Sequence, residues 1–454
     1  MVKFKRIYEE KIQSWIDTKE RHPLLIDGAR QVGKSYLVEQ VIAPKYFNNI
    51  LKLDFMKDPS LHSIFNGSLS VDNILEEVQL ATNQIFNRET DLLFFEEVGL
   101  CRNALESLKF FSQDAPDIHL IATGSNIDLF GRFPVGKTVR MTIHQFTFEE
   151  FLWATDNELL ANYLHKEPNA ISELAHDKLM TAFREYLYVG GMPAAIHAWN
   201  APNTNIITRL NDVREKQNNI IDDYIMDFGK FAEDDKVSPM ITERIYKSIP
   251  VQLSLTHEEK PMPRFKFRDA MNNRKTTYNE VSSPVSFLER LKLVRRIHQI
   301  DTVNQKFPLK AMVKESLFKL CLTDIGLLNA MLDIQFTQIR NKDFAFNGFL
   351  AEVFVLNEML SSHTSPHASS IYSYKKGDLE VEYIIQGKDG IPIPVEVKSG
   401  NNTKAKSLVA LMKKSELKKG YKLTAKSVQV NSNRDIEQWP IYLAKSLYNK
   451  LTRF

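Results

Sequence analysis

Over its first 150 residues the chain alternates short apolar runs with amphipathic stretches. PLLID (23–27), ILKLDF (50–55), DLLFFEE (91–97) and HLIATGS (119–125) each carry an apolar run of strand length. Between them, KSYLVEQVI, LHSIF, VDNILEEVQLATNQIF and NALESLKFFSQ repeat apolar positions with helical spacing. Continuous apolar strands separated by helices predict a parallel sheet covered on both faces. From about Thr147 the pattern turns helical, in FTFEEFLWAT, SELAHDKLMTAFREYLYVGGMPAAIHAW and ITRLNDVREKQNNIIDDYI. More helices follow between Ala232 and about Ile300, ending in VSFLERLKLVRRIHQI, a helix running into a strand, which suits a winged-helix-like module. From roughly Phe344 the pattern is mixed again. NGFLAEVFVLNEML reads as a helix, IYSYKK, LEVEYIIQ and IPIPVEVKSG as strands, and KSLVALMKKS as a helix. HEEKPMPRFK and SSHTSPHASS read as loops. No internal repeat or low-complexity tract interrupts the pattern.

At 454 residues the chain exceeds one ordinary core, and two to four domains are expected. No apolar window reaches the roughly 18 residues of a membrane helix, and the charged N-terminus MVKFKRIYEEKIQSWIDTKE lacks a signal-peptide core. Two distant cysteines, Cys101 and Cys321, make neither a disulfide framework nor a zinc site. These features fit a cytoplasmic protein. The net charge of +3 hides an asymmetry: from Lys398 onward there are 13 Lys or Arg against 3 Asp or Glu, and upstream 46 against 53. A basic C-terminal end suits nucleic-acid binding, and it equally suits a solvated lysine-rich surface.

Gly28, Ala29, Arg30, Gln31, Val32, Gly33, Lys34 and Ser35 match the phosphate-binding loop at every defined position, with an apolar strand before and a helix after. The glycines let successive backbone N–H groups face an anion, and the following helix adds the positive end of its dipole. Lys34 would reach the β- and γ-phosphates of ATP, and the Ser35 hydroxyl would ligate Mg²⁺. DLLFFEEV then supplies a strand ending in two acids: Glu96 to support the metal and Glu97 as general base or water-orienting group. HLIATGSN ends a third strand in Thr123, Ser125 and Asn126, where a polar side chain could sense the γ-phosphate. Arg132 and Arg140 are candidates for an arginine finger, or ordinary surface cations.

Near the far end, Glu382 sits on one strand, and Glu396 and Lys398, two residues apart, share one face of the next. Two carboxylates and a lysine at a strand pair suit metal-assisted phosphodiester hydrolysis, and Glu352 on the preceding helix could complete the cluster. The same residues also suit a fold whose acids no longer cut. Lys404, Lys406, Lys413 and Lys414 would suit phosphate contacts in either case.

Together GARQVGKS, LLFFEEV, IATGSN, LFGR…TIHQFTFEEF, YLYVGGMPAAI, FKLCLTDIGLL and IPVEVKSG resemble the prokaryotic AAA+ superfamily ATPases with a C-terminal nuclease-like domain. The resemblance covers nearly the whole chain. It implies an α/β fold: an AAA+ P-loop core (1–150), a helical lid (151–230), a winged-helix-like module (231–315) and a restriction-endonuclease-like α/β domain (316–454). That last part resembles the PD-(D/E)xK nucleases. The chain departs from the family where Glu96 and Glu382 stand for the usual Asp, the longer side chain altering the fit to octahedral Mg²⁺. Gly190-Gly191, followed by Pro193, is expected to form a turn joining core to lid beside the nucleotide. Three functions fit: an ATP-hydrolysing protein whose C-terminal module binds or nicks DNA, a non-catalytic nucleotide switch with a protein or DNA partner, and a helical scaffold with a vestigial loop. The resemblance leaves ring and monomer open.

Overall fold

The protein is described by a computed structural model covering residues 4–125, 127–129, 136–235, 237–255, 264–341, 347–363, 371–398, 405–427 and 435–453. Its chain divides into two compact units, the boundary lying between His144 and Gln145.

The first unit holds five parallel strands: β1 (Leu24–Asp27), β2 (Ile50–Asp54), β3 (Leu92–Glu96), β4 (His119–Gly124) and β5 (Val139–Thr142). They lie in the order β2-β3-β4-β1-β5. Every residue of β1 and β4 is buried, which is why both read as unbroken apolar runs. One face packs a core that includes Leu53, Phe55, Phe65, Phe95 and Phe111, its rings meeting edge to face at 5.6–6.1 Å. The helix after β1 starts as Lys34–Tyr36, continues as a π-helical stretch Leu37–Ile42 and ends as Ala43–Tyr46. Helix Val71–Thr82 stops earlier than its apolar spacing predicts, because Asn83 takes a left-handed conformation (φ +52°). Strand β5 has no counterpart among the predicted strands. Four residues long and at the edge of the sheet, it buries only Met141 and Thr142.

The second unit combines helices with a mixed sheet of β6 (Val294–Ile300), β7 (Phe318–Leu322), β8 (Ile371–Lys376), β9 (Leu379–Gln386), β10 (Pro392–Lys398), β11 (Gly420–Thr424) and β12 (Ile436–Pro440). Its order is β12-β11-β10-β9-β8-β6-β7. The predicted divisions near residues 230 and 315 fall inside this unit, and the β6–β7 hairpin forms one edge of its sheet. Helix Phe148–Ala154 opens the unit with a capping box, Thr147 and Glu150 each satisfying the other's backbone N–H.

Two predicted motifs meet in the interior of this unit. Gly190 has φ +75°, and a Cβ there would lie 2.4 Å from Asp324 Oδ1. A Cβ on Gly191 would lie 2.3 Å from the carbonyl oxygen of Phe146. Asp324 accepts from Gly191 N at 2.7 Å and from Leu327 N at 2.9 Å, so one carboxylate caps the helix Ile325–Met331 and fixes the glycine turn. The glycine pair is thus required by close backbone packing within its own unit.

Candidate functional site

The carboxyl end of β1 faces the point where the strand order reverses, the place where open α/β sheets take ligands. There the chain leaves the strand through Gly28 to Gly33. Gly28 has no room for a side chain, since a Cβ would lie 2.5 Å from the carbonyl oxygen of Ile143. Gln31 (φ +64°) and Gly33 (φ +90°) take left-handed conformations, and the helix begins at Lys34. Left-handed and right-handed residues in succession make a concave run of N–H groups suited to an anion.

Lys34 is buried, its Nζ donating to Ser125 Oγ at 2.8 Å, Ala29 O at 2.9 Å and Gly28 O at 3.2 Å. Ser125 in turn donates from Oγ to Glu97 Oε1 at 2.8 Å and from its backbone N to Glu97 Oε2 at 3.1 Å. The topology explains this chain of contacts: β4 lies between β1 and β3, so its end stands between the loop lysine and the acid. Glu97 sits at φ +50°, ψ +45°, a region a glutamate seldom adopts, and such outliers cluster at functional sites.

Glu96 points the other way. It accepts from the Ser35 hydroxyl and pairs with Lys52 of β2. Lys52 also pairs with Glu39 and stands 3.7 Å from Asp54. Burial opposes its charge, yet its hydrogen bonds to Glu39 and Glu96 outweigh that and hold it protonated above the usual lysine range. Thr123 Oγ1 is fully buried, with no hydrogen-bond partner among the described residues. Arg140 on β5 donates to Asp27 Oδ2 from Nε at 2.7 Å and stands 2.6 Å from Asp128. Asn126 and Arg132 lie outside the described residues.

The donor set fits a nucleotide with Mg²⁺. A buried lysine with exchangeable neutral partners faces a loop whose first glycine has no room for a side chain, and the hydroxyl and carboxylate expected to hold the metal touch each other. Sequence reasoning missed Lys52, whose only local signal is a lysine at an alternating position in ILKLDF. It also missed Arg6, which carries no local signal.

In the second unit the β9–β10 ladder runs from Pro392↔Gln386 to Val395↔Tyr383. Beyond it, the N–H of Val397 donates to Glu382 Oε2 at 3.0 Å, so a carboxylate replaces a backbone acceptor. Lys398 bridges Glu396 at 2.9 Å and Glu382 at 3.5 Å. Burial raises the pKa of both acids, and Lys398 offsets it in part. Glu352 stands 3.6 Å from Lys319, which is 3.3 Å from Glu380, and its charge also acts on Lys398 and Glu382. Burial raises its pKa against the pull of the two lysines. Lys319 and Glu380 were not anticipated. Among the described residues no group of three or more His, Cys, Asp or Glu is placed to hold a metal ion. Lys406, Lys413 and Lys414 are exposed on helix Lys406–Lys414, and Lys404 lies outside the described residues.

Fold and first site together define an α/β protein with a parallel P-loop NTPase core and a further mixed-sheet domain. Residues 20–152 match the family model of an AAA domain, which supports an AAA-type P-loop ATPase. Residues 180–338 and 347–444 match two domains of unknown function, DUF8612 and DUF4143, whose descriptions state no activity. An uncharacterized protein of Methanocaldococcus jannaschii is 25% identical over 207 residues, a stretch covering 42% of this chain and 42% of that protein. No helix among the described residues is long and apolar enough to cross a membrane.

Proposed function

We propose that the chain binds ATP with Mg²⁺ at the loop from Gly28 to Ser35 and hydrolyses it. The observation that carries this reading is the chain of contacts from Lys34 through Ser125 to Glu97, at the open end of a sheet whose residues match an AAA domain. Ser35 and Glu96 would hold the metal, which when bound shields the phosphate oxygens and neutralises developing charge. The loop N–H groups and Lys34 bind and orient the phosphates. Glu97 orients the attacking water and takes its proton, with Ser125 holding the carboxylate in place. ATP hydrolysis by the purified chain, measured with and without DNA, tests the reading. Turnover that Glu97→Gln leaves untouched would defeat it.

We further propose that the part from 316 to 454 is a nuclease-like module that binds DNA without cutting it. Glu382 in place of the usual Asp, with no group of three or more His, Cys, Asp or Glu among the described residues placed to hold a metal ion, favours binding over cutting. The exposed Lys406, Lys413 and Lys414 would contact phosphates, a salt-sensitive and sequence-independent attraction. The segments 151–230 and 231–315 would serve as lid and winged-helix-like module. Plasmid incubated with the protein and Mg²⁺ or Mn²⁺ separates the alternatives. Retarded but intact plasmid at low salt is expected, and nicks that Glu396→Ala abolishes would establish cutting instead.

A further inference from the structure

The segment ahead of β1 holds a buried arginine whose partners belong to the nucleotide loop. Arg6 is 2% exposed. Its Nη1 donates to Val32 O at 2.8 Å and its Nη2 to His144 O at 2.6 Å. Val32 lies in the phosphate loop, and His144 is the last residue of the first unit, just beyond β5. Tyr8 adds to the same junction: its hydroxyl accepts from His144 N at 2.9 Å, and its ring centre is 5.3 Å from the guanidinium. The loop's other end is fixed there too, since Ile143 N donates to Asp27 O at 2.8 Å and Gly28 lies against Ile143 O.

A loop that turns its N–H groups toward an anion turns carbonyl oxygens away from it, and a buried carbonyl left without a donor is costly. Guanidinium is the side-chain group that can satisfy two such carbonyls at a set separation, because its donors form a rigid fork. A lysine offers a single nitrogen on a flexible stem.

We propose that Arg6 is a positioning residue for the phosphate loop. It clamps Val32 to His144 so that the loop's N–H groups stay directed at the phosphates of a nucleoside triphosphate. This rests on the ATP-binding reading given above. A clamp of this kind acts on ground-state binding, so its loss raises Kd and KM and leaves turnover of the saturated enzyme nearly unchanged. A residue needed merely for folding would lower the amount of active protein without moving Kd.

The test is the affinity of the full chain for a fluorescent ATP analogue, with kcat and KM for ATP, in the parent, Arg6→Gln, Arg6→Lys and Tyr8→Phe, each checked for folding by circular dichroism. Arg6→Gln is expected to bind at least about tenfold more weakly, with kcat within about twofold of the parent. Arg6→Lys should fall between the two, and Tyr8→Phe, which keeps both guanidinium bonds and gives up only the acceptor of His144 N, should lose clearly less affinity than Arg6→Gln. Unchanged affinity in folded Arg6→Gln and Arg6→Lys, with the parent binding, overturns this inference alone. An equal loss in Tyr8→Phe and Arg6→Gln also overturns it, since the effect would then be one of general packing. A parent that binds no ATP overturns both this and the functional reading.

Discussion

Replacing Lys34 by methionine separates the lysine's part in nucleotide binding from its part in the fold. Without nucleotide, Nζ has three neutral partners at 2.8–3.2 Å, two of them carbonyls of the loop itself. Binding would move the ammonium onto charged phosphate oxygens. Its present bonds are already charge-assisted, so the gain is the added attraction to an anion: about 4 kcal/mol for unit charges about 4 Å apart at an effective dielectric of about 20, of which about 3 kcal/mol remains once the bonds to Gly28, Ala29 and Ser125 are given up. Affinity in Lys34→Met should therefore fall by about two orders of magnitude. Stability without ligand should change little, because relief of a buried ammonium offsets the two carbonyls that lose a donor. Thermal unfolding measures both. At ATP one hundred times the parent Kd, the parent gains about 2.7 kcal/mol, whereas a variant a hundredfold weaker gains about 0.4 kcal/mol. An equal ATP-induced gain in the two proteins would refute the assignment of Lys34 to the phosphates.

Glu97→Gln should bind ATP with parental affinity and lose turnover by about two to four orders of magnitude, read in a phosphate-release assay; parental turnover would remove Glu97 from the reaction. Two buried groups, His119 in the first unit and Asp324 in the second, should contribute to stability with opposite responses to acid. Burial, aided by the charge of Arg21, lowers the His119 pKa to about 4, so its contribution to the stability of the first unit is fully present above pH 6.5 and is lost as pH falls from there to about 4. That loss is at most about 3 kcal/mol, and it should vanish in His119→Phe when hydrogen exchange is followed from pH 7 to 4.5. In the second unit, burial raises Asp324 to about 6 against the pull of backbone N–H groups, so its contribution favours folding at low pH and is lost as pH rises from about 4 to 6. Protection of helix Ile325–Met331 relative to the intrinsic exchange rate at each pH should rise on acidification, and protection that falls would contradict it. Gly191→Ala would place a methyl 2.3 Å from the Phe146 oxygen and 2.8 Å from its nitrogen, both backbone atoms. A loss of at least about 3 kcal/mol is expected in urea unfolding, and a loss under about 1 kcal/mol would show that the turn can yield.

What could be read from the sequence divides by distance along the chain. Strands β1, β3 and β4 announced themselves because they are buried on both faces, and β2 because its apolar positions alternate, so none needs a partner's sequence to be recognised. The phosphate loop was equally visible, since all its constraints are local. Strands β5, β7, β11 and β12 were not expected: each is four or five residues long, and three of them carry a Lys or Arg within the run. Three of the four are edge strands, and β11 lies between β10 and the edge strand β12, so their strand character depends on what lies beside them. Long-range side-chain roles were hidden for the same reason. Arg6 reaches a residue 138 positions away, and Asp324 meets Gly191 across 133. Glu352 was grouped with Glu382 and Glu396, and its charge does act on Glu382 and Lys398, but Lys319, on a strand not foreseen, is a further cation beside it.

The departure of Glu96 from the usual Asp has a local reason in this sheet. Strands β2 and β3 are neighbours, with Asp54 opposite Glu96 and Lys52 opposite Phe94. The lysine ammonium therefore stands beside the end of β3, and a carboxylate there must meet it as well as the Ser35 hydroxyl. A glutamate, one methylene longer than an aspartate, spans both, and the contacts to Ser35 and Lys52 use its two different oxygens. Glu97 cannot share that task, because its left-handed backbone turns it toward Ser125. Two adjacent acids are thereby assigned to opposite sides of the site by backbone geometry and one neighbouring lysine. It follows that Lys52→Met should alter the Mg²⁺ concentration needed for ATP binding and leave metal-free nucleotide binding unchanged. An Mg²⁺ requirement identical to the parent's would mean that the lysine bears on the fold of the β2 edge and not on the acid beside it.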